Sequence, residues 1–244
     1  MKINTYTSKL FGAALIVAGI MPNLTSCKKN SAHANNTAAV TVTEADAAQF
    51  TTDAVSPSSG GMANQLGAST SLYATTALSC GVQKDSVISI ISQSGAVPSY
   101  QYTLNWDYML NCNGQVPTNI AFNYTGKGNY DGLHMSASDT SNAQFVLTGA
   151  SSAYLLTANY TRTGTATSKI AKQYTFHATL NIQSSNISVN KTTHEISAGT
   201  ATVTFVATST SGKKYTFTGT VTFLGNNKAG LVLNSGVTYQ IQWP

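Results

Sequence analysis

Apolar and polar side chains alternate along most of the chain from Ser79 onward. In the clearest stretch, Tyr100 to Cys112, apolar residues occupy every second position, and only Met109 interrupts the polar positions between them. A period of two places the apolar residues on one face of a β-strand. The sequence therefore predicts a long, half-buried strand over residues 100–112.

The same alternation recurs up to the end of the chain. Further strands are predicted at 87–92, 120–124, 145–149, 154–160, 174–182, 203–205, 215–223, 231–233 and 237–243. Short turns rich in Gly, Asn and Ser, such as 209–212, 225–227 and 234–236, separate several of them, which favours hairpins in sequence order. Residues 71–244 are therefore predicted to form one antiparallel β domain.

The covering of the sheet decides its architecture. No stretch after residue 71 has a convincing helical period, so we expect the sheet to cover its own apolar face. The predicted fold class is all-β: an antiparallel meander curled into a barrel, a half-barrel or a sandwich. The hydrophobic pattern is the same for all three arrangements and leaves the choice open.

The first residues have the layout of an export signal. Lys2 and Lys9 accompany an apolar run from Leu10 to Met21. That run is shorter than the about 20 residues of a membrane-spanning helix, but its length is typical of the apolar core of a signal peptide. Leu24-Thr25-Ser26-Cys27 follows directly.

These residues together resemble the signal and lipobox of bacterial lipoproteins. The resemblance implies a signal peptide over 1–26, removed by signal peptidase II, and a diacylglycerol on Cys27. An ordinary signal peptide followed by a chance cysteine is the alternative. Two or more acyl chains anchor a protein stably to a membrane, whereas one binds reversibly.

The residues after Cys27 indicate the membrane to which such a lipoprotein is sorted. The sorting rule of such lipoproteins retains those with Asp after the cysteine in the inner membrane, and this chain has Lys28 and Lys29. The resemblance therefore implies the outer membrane. No acidic export cluster follows the cysteine, which favours the periplasmic face over the cell surface.

Residues 27–70 are expected to form a lipidated N-terminus and a flexible linker. They are rich in Ala, Asn, Thr, Ser and Gly, and Ser56 to Gly61 is the clearest flexible piece. Chains of this composition stay disordered because they bury too little apolar surface to offset the ordering entropy. A short helix over Glu44 to Phe50 is the one exception that the sequence suggests.

Charge narrows the classes of partner. Only 9% of residues are charged, and the formal net charge is +5, but the basic residues are scattered along the chain. Nucleic-acid binding needs a clustered basic face, so we exclude a nucleic-acid partner.

Two cysteines remain for the β domain, Cys80 and Cys112. In an oxidising envelope an even pair predicts a disulfide. A hairpin folded about Ala96 pairs Ile88 with Leu104 and Ile90 with Tyr102, and it brings position 80 opposite position 112. Cysteines that face each other across antiparallel strands can satisfy the distances of a disulfide.

The sequence offers little for catalysis. The acidic residues of the predicted domain are spread out and form no close pair: Asp85, Asp107, Asp131, Asp139 and Glu195. Gly126 to Gly132 is interpreted as a glycine-rich turn or bulge, since it lacks the spacing of a phosphate-binding loop. A metal site is only weakly indicated, by Asp131, His134 and Asp139. We expect no catalytic residue, no metal and no cofactor, and therefore a protein that is not an enzyme.

Ligand and modification sites are suggested by three residues. Trp106 and Trp243, if exposed, would offer sugar-stacking platforms, although core packing is the ordinary role of inward aromatics. Asp85-Ser86-Val87 resembles the acceptor motif of a gram-negative O-glycosylation system, which makes Ser86 a candidate acceptor.

Beyond the signal, the Ser26-Cys27-Lys28-Lys29 start, the Ser/Asn/Thr linker and the C-terminal hairpins resemble lipid-anchored β-proteins of gram-negative envelopes. The function expected first is a non-enzymatic binding or structural role in the outer membrane, with the membrane and a glycan, lipid or envelope-protein ligand as partners. The alternatives are a carrier of a lipid or other apolar ligand, which needs an unfilled apolar concavity, and an envelope enzyme acting on glycans, which needs converging acidic groups.

Overall fold

The structure is a computed structural model that describes residues 40–75, 78–149 and 152–243. All of them belong to one compact unit, Ala38–Pro244. The expected signal peptide, Cys27, Lys28 and Lys29 lie outside the described residues and stay predictions.

Ten antiparallel strands form a single sheet in strict chain order, which confirms the predicted meander. The strands are β1 Gln83–Ile91, β2 Ser99–Asn113, β3 Val116–Asp131, β4 Met135–Gly149, β5 Ala153–Ser168, β6 Tyr174–Asn190, β7 Ile196–Ser209, β8 Lys214–Gly225, β9 Lys228–Leu233 and β10 Thr238–Gln242. Strands β2 to β8 are longer than the segments that the sequence indicated.

The first hairpin has the predicted register. Ile88 pairs with Leu104 and Ile90 with Tyr102. A disulfide joins Cys80 to Cys112, with a Cα–Cα distance of 5.7 Å. The register shifts in β2 and β3 between Asn111 and Cys112, and the backbone partner of Cys80 is Leu110. The expected disulfide is therefore present, but Cys80 does not lie directly opposite Cys112 in the ladder.

The glycine-rich segment 126–132 is not the turn or bulge that we expected. Gly126 and Gly128 lie inside β3 and point toward the inner face of the sheet. A Cβ on Gly126 would come within 2.6 Å of the Leu104 side chain, and one on Gly128 would meet the Tyr102 Cβ at 2.6 Å. These glycines let neighbouring strands approach closely.

Two helices occupy much of the region that we expected to be a flexible linker. The short helix suggested over Glu44 to Phe50 is present, but the expectation of a flexible linker is wrong for residues 51–70. Helix α1 covers Glu44–Val55, a 3-10 helix covers Pro57–Ser59, and helix α2 covers Met62–Thr75. Thr43 caps α1 through a capping box with Asp46, which satisfies backbone donors at the first turn. The Ser56-Pro57 pair ends α1, because the residue before a proline avoids the helical region.

The helices cover the apolar inner face of the sheet. Phe50 of α1 and Met62 and Leu66 of α2 are fully buried in the same core as the inward residues of the strands. Our expectation that the sheet covers itself is therefore wrong: within the described residues there is one open sheet around a helical hairpin, neither a closed barrel nor a sandwich. Among these residues, no helix combines the length and apolar character needed to cross a membrane.

The sheet curls strongly enough to bring its two ends together. Ile88 and Ile90 of β1 line the same cavity as Trp243, which directly follows β10. We call this opening between the first and last strands the seam. The half-barrel is thus the arrangement, among the three predicted, that the open curled sheet is closest to.

The meander gives the sheet two rims. The near rim consists of the connections 92–98, 132–134, 169–173 and 210–213, and the far rim consists of 114–115, 191–195 and 226–227. The described chain begins at the near rim, where the Tyr215 hydroxyl donates to the carbonyl oxygen of Val40 (2.9 Å).

Candidate functional site

A cavity of about 470 Å³ lies at the seam. One wall is Ile88 and Ile90 of β1, and the opposite wall is Ile196 and Trp243. Helix α2 separates the cavity from the rest of the sheet interior. The seam cavity is therefore a direct consequence of a sheet that curls without closing.

Helix α2 presents small residues to the cavity. Ala63, Asn64, Gly67 and Ala68 line it, and a Cβ placed on Gly67 would meet no other atom within 4 Å. Small side chains on this side of the helix keep the space open. A larger residue at position 67 would project into empty volume.

The other side of α2 is fixed to the sheet. The Tyr124 hydroxyl donates to the carbonyl oxygen of Gln65 (3.0 Å) and shares a hydrogen bond of 2.7 Å with the Ser69 hydroxyl. All three residues are buried. Buried hydrogen bonds of this kind hold the helix at a set distance from the sheet, and so they also set the width of the seam cavity.

One end of the seam cavity is polar. Thr193, His194 and Glu195 of the β6–β7 connection and Asn227 of the β8–β9 turn line it. His194 and Asn227 have left-handed backbone angles (φ 59° and 57°), which tight turns require. The cavity therefore combines an apolar body with a hydrogen-bonding end.

The two tryptophans have different surroundings. Trp106 is only 7% exposed and stacks on Tyr124 and Phe122 in the core, so the exposed sugar-stacking platform that we considered there is wrong. Trp243 is also mostly buried, at 5% exposure, but it borders the seam cavity. Its ring therefore borders a cavity inside the molecule and forms no exposed surface platform.

A second polar constellation lies between α1 and the sheet, around Arg162 of β5. Its guanidinium donates to the carbonyl oxygens of Asp53 (2.9 Å) and Ser59 (3.2 Å). Its Nη2 lies 2.8 Å from Asp139 Oδ2, at ion-pair distance although the atoms are not aligned as a hydrogen bond. The guanidinium also lies over the Tyr130 ring, 5.1 Å from its centroid. We call Arg162, Asp139, Asp53 and Tyr130 the arginine cluster.

Asp53 connects α1 to this cluster. Its carboxylate accepts hydrogen bonds from Tyr130 Oη (2.7 Å) and Gln49 Nε2 (3.1 Å). Burial raises the pKa of Asp53 to about 6, against the lowering effect of Tyr130 and Arg162. Burial also raises the pKa of Asp139, which Arg162 opposes.

The arginine cluster brings two carboxyl groups together, as the enzyme alternative requires. Asp139 also borders an open space of about 650 Å³ along β2 to β5, but the side of the cluster that faces the guanidinium is closed. The free space beside Arg162 and Asp139 is about 10 Å³, roughly the volume that one water needs. The cluster therefore acts structurally, attaching the helical hairpin to the sheet.

Among the other candidate residues, Asp85 and Asp107 are cross-strand partners in β1 and β2, contrary to the expectation that the acidic residues form no close pair. With Ser86 they line a space of about 250 Å³. Ser86 is exposed on β1, and it stays a predicted acceptor. Asp107 accepts a hydrogen bond from Asn123 on the outer face, and Asp131 pairs with Lys169 at the near rim. In the described ranges, no three His, Cys, Asp or Glu side chains come together as a metal site.

A larger space of about 650 Å³ lies along β2 to β5. Hydrogen-bonding residues of the outer face, such as Gln101, Thr140 and Thr163, form much of its lining. It has no enclosing apolar wall comparable to Ile88, Ile196 and Trp243 at the seam. The seam cavity is therefore the stronger candidate for a binding site.

No family model, no curated protein and no solved structure matches the chain.

Sequence reasoning missed both helices as parts of the site. The signals present were the Thr43-x-x-Asp46 capping box and the spacing of Met62, Leu66 and Tyr73 in α2. The abundance of Ser, Thr, Asn and Gly between them obscured the pattern, because these residues favour turns over helices in isolation. Asp53 and Arg162 could not be paired without knowing that α1 lies on the sheet.

The arginine cluster makes a pH-dependent contribution to stability that can be measured. Asp53 binds its proton more tightly in the folded chain (pKa about 6) than its ordinary value of 3.8 implies for the unfolded chain. The resulting stabilisation is complete below about pH 4 and is lost as the pH rises through 6. The unfolding free energy of the wild type, minus that of Asp53→Asn, should therefore fall by about 2 kcal/mol between pH 4 and 7.

Denaturant titration at several pH values measures this difference. Asp107→Asn, on the outer face, controls for the loss of one carboxylate. A wild-type-minus-Asp53→Asn difference that stays constant over this range would show that the Asp53 carboxyl is not buried as described.

Proposed function

We propose that this protein is a lipid-anchored, non-enzymatic binding protein of the outer membrane that holds a small amphiphile in the seam cavity. The observation that carries the proposal is the cavity itself, which has an apolar body and a polar end. The proposed function combines two expectations from the sequence: a non-enzymatic binding protein and a carrier of a lipid or other apolar ligand. The ligand is a molecule with an apolar body and a hydrogen-bonding group.

The size and lining of the seam cavity support this function. Its volume of about 470 Å³ falls within the roughly 300–1,000 Å³ of ligand pockets, which are apolar with a few polar groups. Ile88, Ile196 and Trp243 suit the apolar body of the ligand. Asn227 and Thr193 suit its hydrogen-bonding end.

The non-enzymatic part of the proposal is supported by the location of the titratable groups. The carboxyl groups of the arginine cluster are held by structural partners, Asp53 by Tyr130 and Gln49 and Asp139 by Arg162. Acid–base catalysis needs such groups within hydrogen-bond reach of a substrate. Glu195 and His194 border the seam cavity, where we assign them to ligand binding.

The anchor is supported by the order of sequence features before Cys27: basic residues, an apolar run and the Leu24-Thr25-Ser26-Cys27 lipobox. Lys28 and Lys29 favour the outer membrane, and the missing acidic cluster favours its periplasmic face. A tethered binding protein would present or receive its ligand close to the membrane surface.

The ligand site can be tested by filling the seam cavity. Gly67→Leu places a large side chain where a Cβ meets nothing within 4 Å, so the helix tolerates it and gains from the loss of glycine. We expect the affinity for the fluorescent apolar probe 1-anilinonaphthalene-8-sulfonate to fall at least about tenfold, which corresponds to roughly 1.4 kcal/mol of binding free energy. A fluorescence titration measures the dissociation constant of the probe.

Ala74→Leu, at an exposed position of the same helix, is the matched control and should bind the probe as the wild type does. Near-ultraviolet circular dichroism checks that all three chains keep their packed aromatic residues. Equal affinity of Gly67→Leu and wild type, or no binding by the wild type, would refute the seam cavity as a ligand site.

The anchor has its own test. Metabolic labelling with a fatty-acid analogue should mark the wild type but not Cys27→Ala, because Cys27 is the cysteine of the lipobox and its thiol is the group that receives the lipid. A chain with both Cys80→Ala and Cys112→Ala controls for labelling of other cysteines and should keep the label. Equal labelling of wild type and Cys27→Ala would end the claim.

A further inference from the structure

Three neighbouring connections of the near rim each expose a large apolar side chain. Val97 is 66% exposed, Leu133 is 74% exposed and Ile170 is 42% exposed. These are hairpin connections, so their side chains point away from the core that the strands share. Scattered apolar residues are ordinary on protein surfaces, but these three belong to adjacent connections.

The three connections touch one another. Lys169 donates its backbone N–H to the carbonyl oxygen of His134 (2.8 Å), and its ammonium donates to the carbonyl oxygen of Gly132 (3.0 Å). A Cβ on Gly132 would lie 3.8 Å from the Cβ of Pro98. The three connections that carry the apolar side chains are therefore neighbours on one rim.

Lysines surround these connections. Lys169, Lys172, Lys213 and Lys214 lie in or directly beside the near-rim connections, and Asp131 is the acidic residue beside them. Lys169 pairs with Asp131, and Lys213 lies over the Tyr215 ring. Glu44 and Asp46 of α1 lie near the same rim, where Tyr174 donates to Asp46, so the lysines there outnumber the acidic residues by four to three. Exposed apolar tips among lysines are the combination that suits a bilayer with anionic head groups, since the tips enter the interface and the lysines meet the phosphates.

The start of the described chain lies at the same rim. Val40 is held there by Tyr215, the second residue of β8. Cys27 precedes Val40 by 13 residues in the sequence, and a chain of that length spans at most about 45 Å. A lipid on Cys27 would therefore tether the protein to a membrane from the near rim, where Val40 lies.

We propose that the near rim is a membrane-docking surface that binds an anionic phospholipid bilayer through Val97, Leu133 and Ile170 and the lysines beside them. The docked orientation directs the far rim away from the bilayer. The far-rim connection 191–195, which lines the polar end of the seam cavity, then faces the aqueous side. This surface does not depend on the ligand proposed for the seam cavity, and it binds lipid without the acyl anchor.

The test uses the chain from residue 28 onward, which keeps the whole compact unit Ala38–Pro244 and has no acyl group. Co-sedimentation compares vesicles of phosphatidylcholine alone with vesicles of equal parts phosphatidylcholine and phosphatidylglycerol. We expect binding to the anionic vesicles only, weakened by added salt because salt screens exposed charges.

Two pairs of substitutions separate the contributions. Lys172→Gln with Lys214→Gln should weaken vesicle binding by about 25-fold, at about fivefold for each lysine near an anionic surface. Leu133→Asn with Ile170→Asn should weaken it at least about tenfold, because polar side chains gain nothing from entering the interface. Val116→Asn with Lys228→Gln, a matched pair at the far rim, should bind as the unsubstituted chain does.

The outcomes separate this proposal from the proposed function. Gly67→Leu fills the seam cavity but should leave vesicle binding unchanged. No association with anionic vesicles, or an equal loss in the far-rim pair and the near-rim pairs, would overturn the docking surface. Neither result would bear on probe binding in the seam cavity.

Discussion

An antiparallel sheet with one apolar face must have that face covered, and in this chain the cover is a helical hairpin. Helices α1 and α2 lie on the inner face of the curled sheet, and their apolar residues are buried among the inward side chains of the strands. The sheet therefore has no need to close on itself or to pack against a second sheet. Its openness, its seam and the cavity at the seam all follow from this arrangement.

Polar side chains of the sheet hold the hairpin in place. Tyr124 and Tyr215 donate to helix or chain carbonyl oxygens, and Tyr174 donates to the carboxylate of Asp46. Arg162, the one arginine in the sequence, joins Asp53 and Ser59 to Asp139. A buried ion pair contributes little net stability but is costly to break, so we assign the arginine cluster to fixing where the hairpin sits.

The sequence predicted the sheet well because a period of two survives in almost any context. The meander, the β1–β2 register and the Cys80–Cys112 disulfide all followed from alternation and from turn residues. Only the start of α1 was suggested. Helix α2 was missed because it is rich in Ser, Thr, Asn and Gly, and because the buried face of a helix depends on a partner that the sequence does not name. The glycines at 126 and 128 were interpreted as a turn or bulge for a related reason: their close contacts with Tyr102 and Leu104 come from neighbouring strands.

The candidate site was harder to predict than the fold. Trp243 was singled out, but for a surface role, and Trp106 proved to be a core residue. The seam cavity combines residues from α2, β1, the β6–β7 connection and the chain after β10, which only the curl of the sheet brings together. No local pattern could indicate such a constellation.

Hydrogen–deuterium exchange of residues 44–75 in the folded chain tests the central claim most directly. If the helical hairpin covers the apolar face of the sheet, its buried amides should exchange only when the whole domain unfolds, as slowly as those of β3 to β7. Exchange of these amides at the rate of an unstructured chain, while the strands stay protected, would contradict the account.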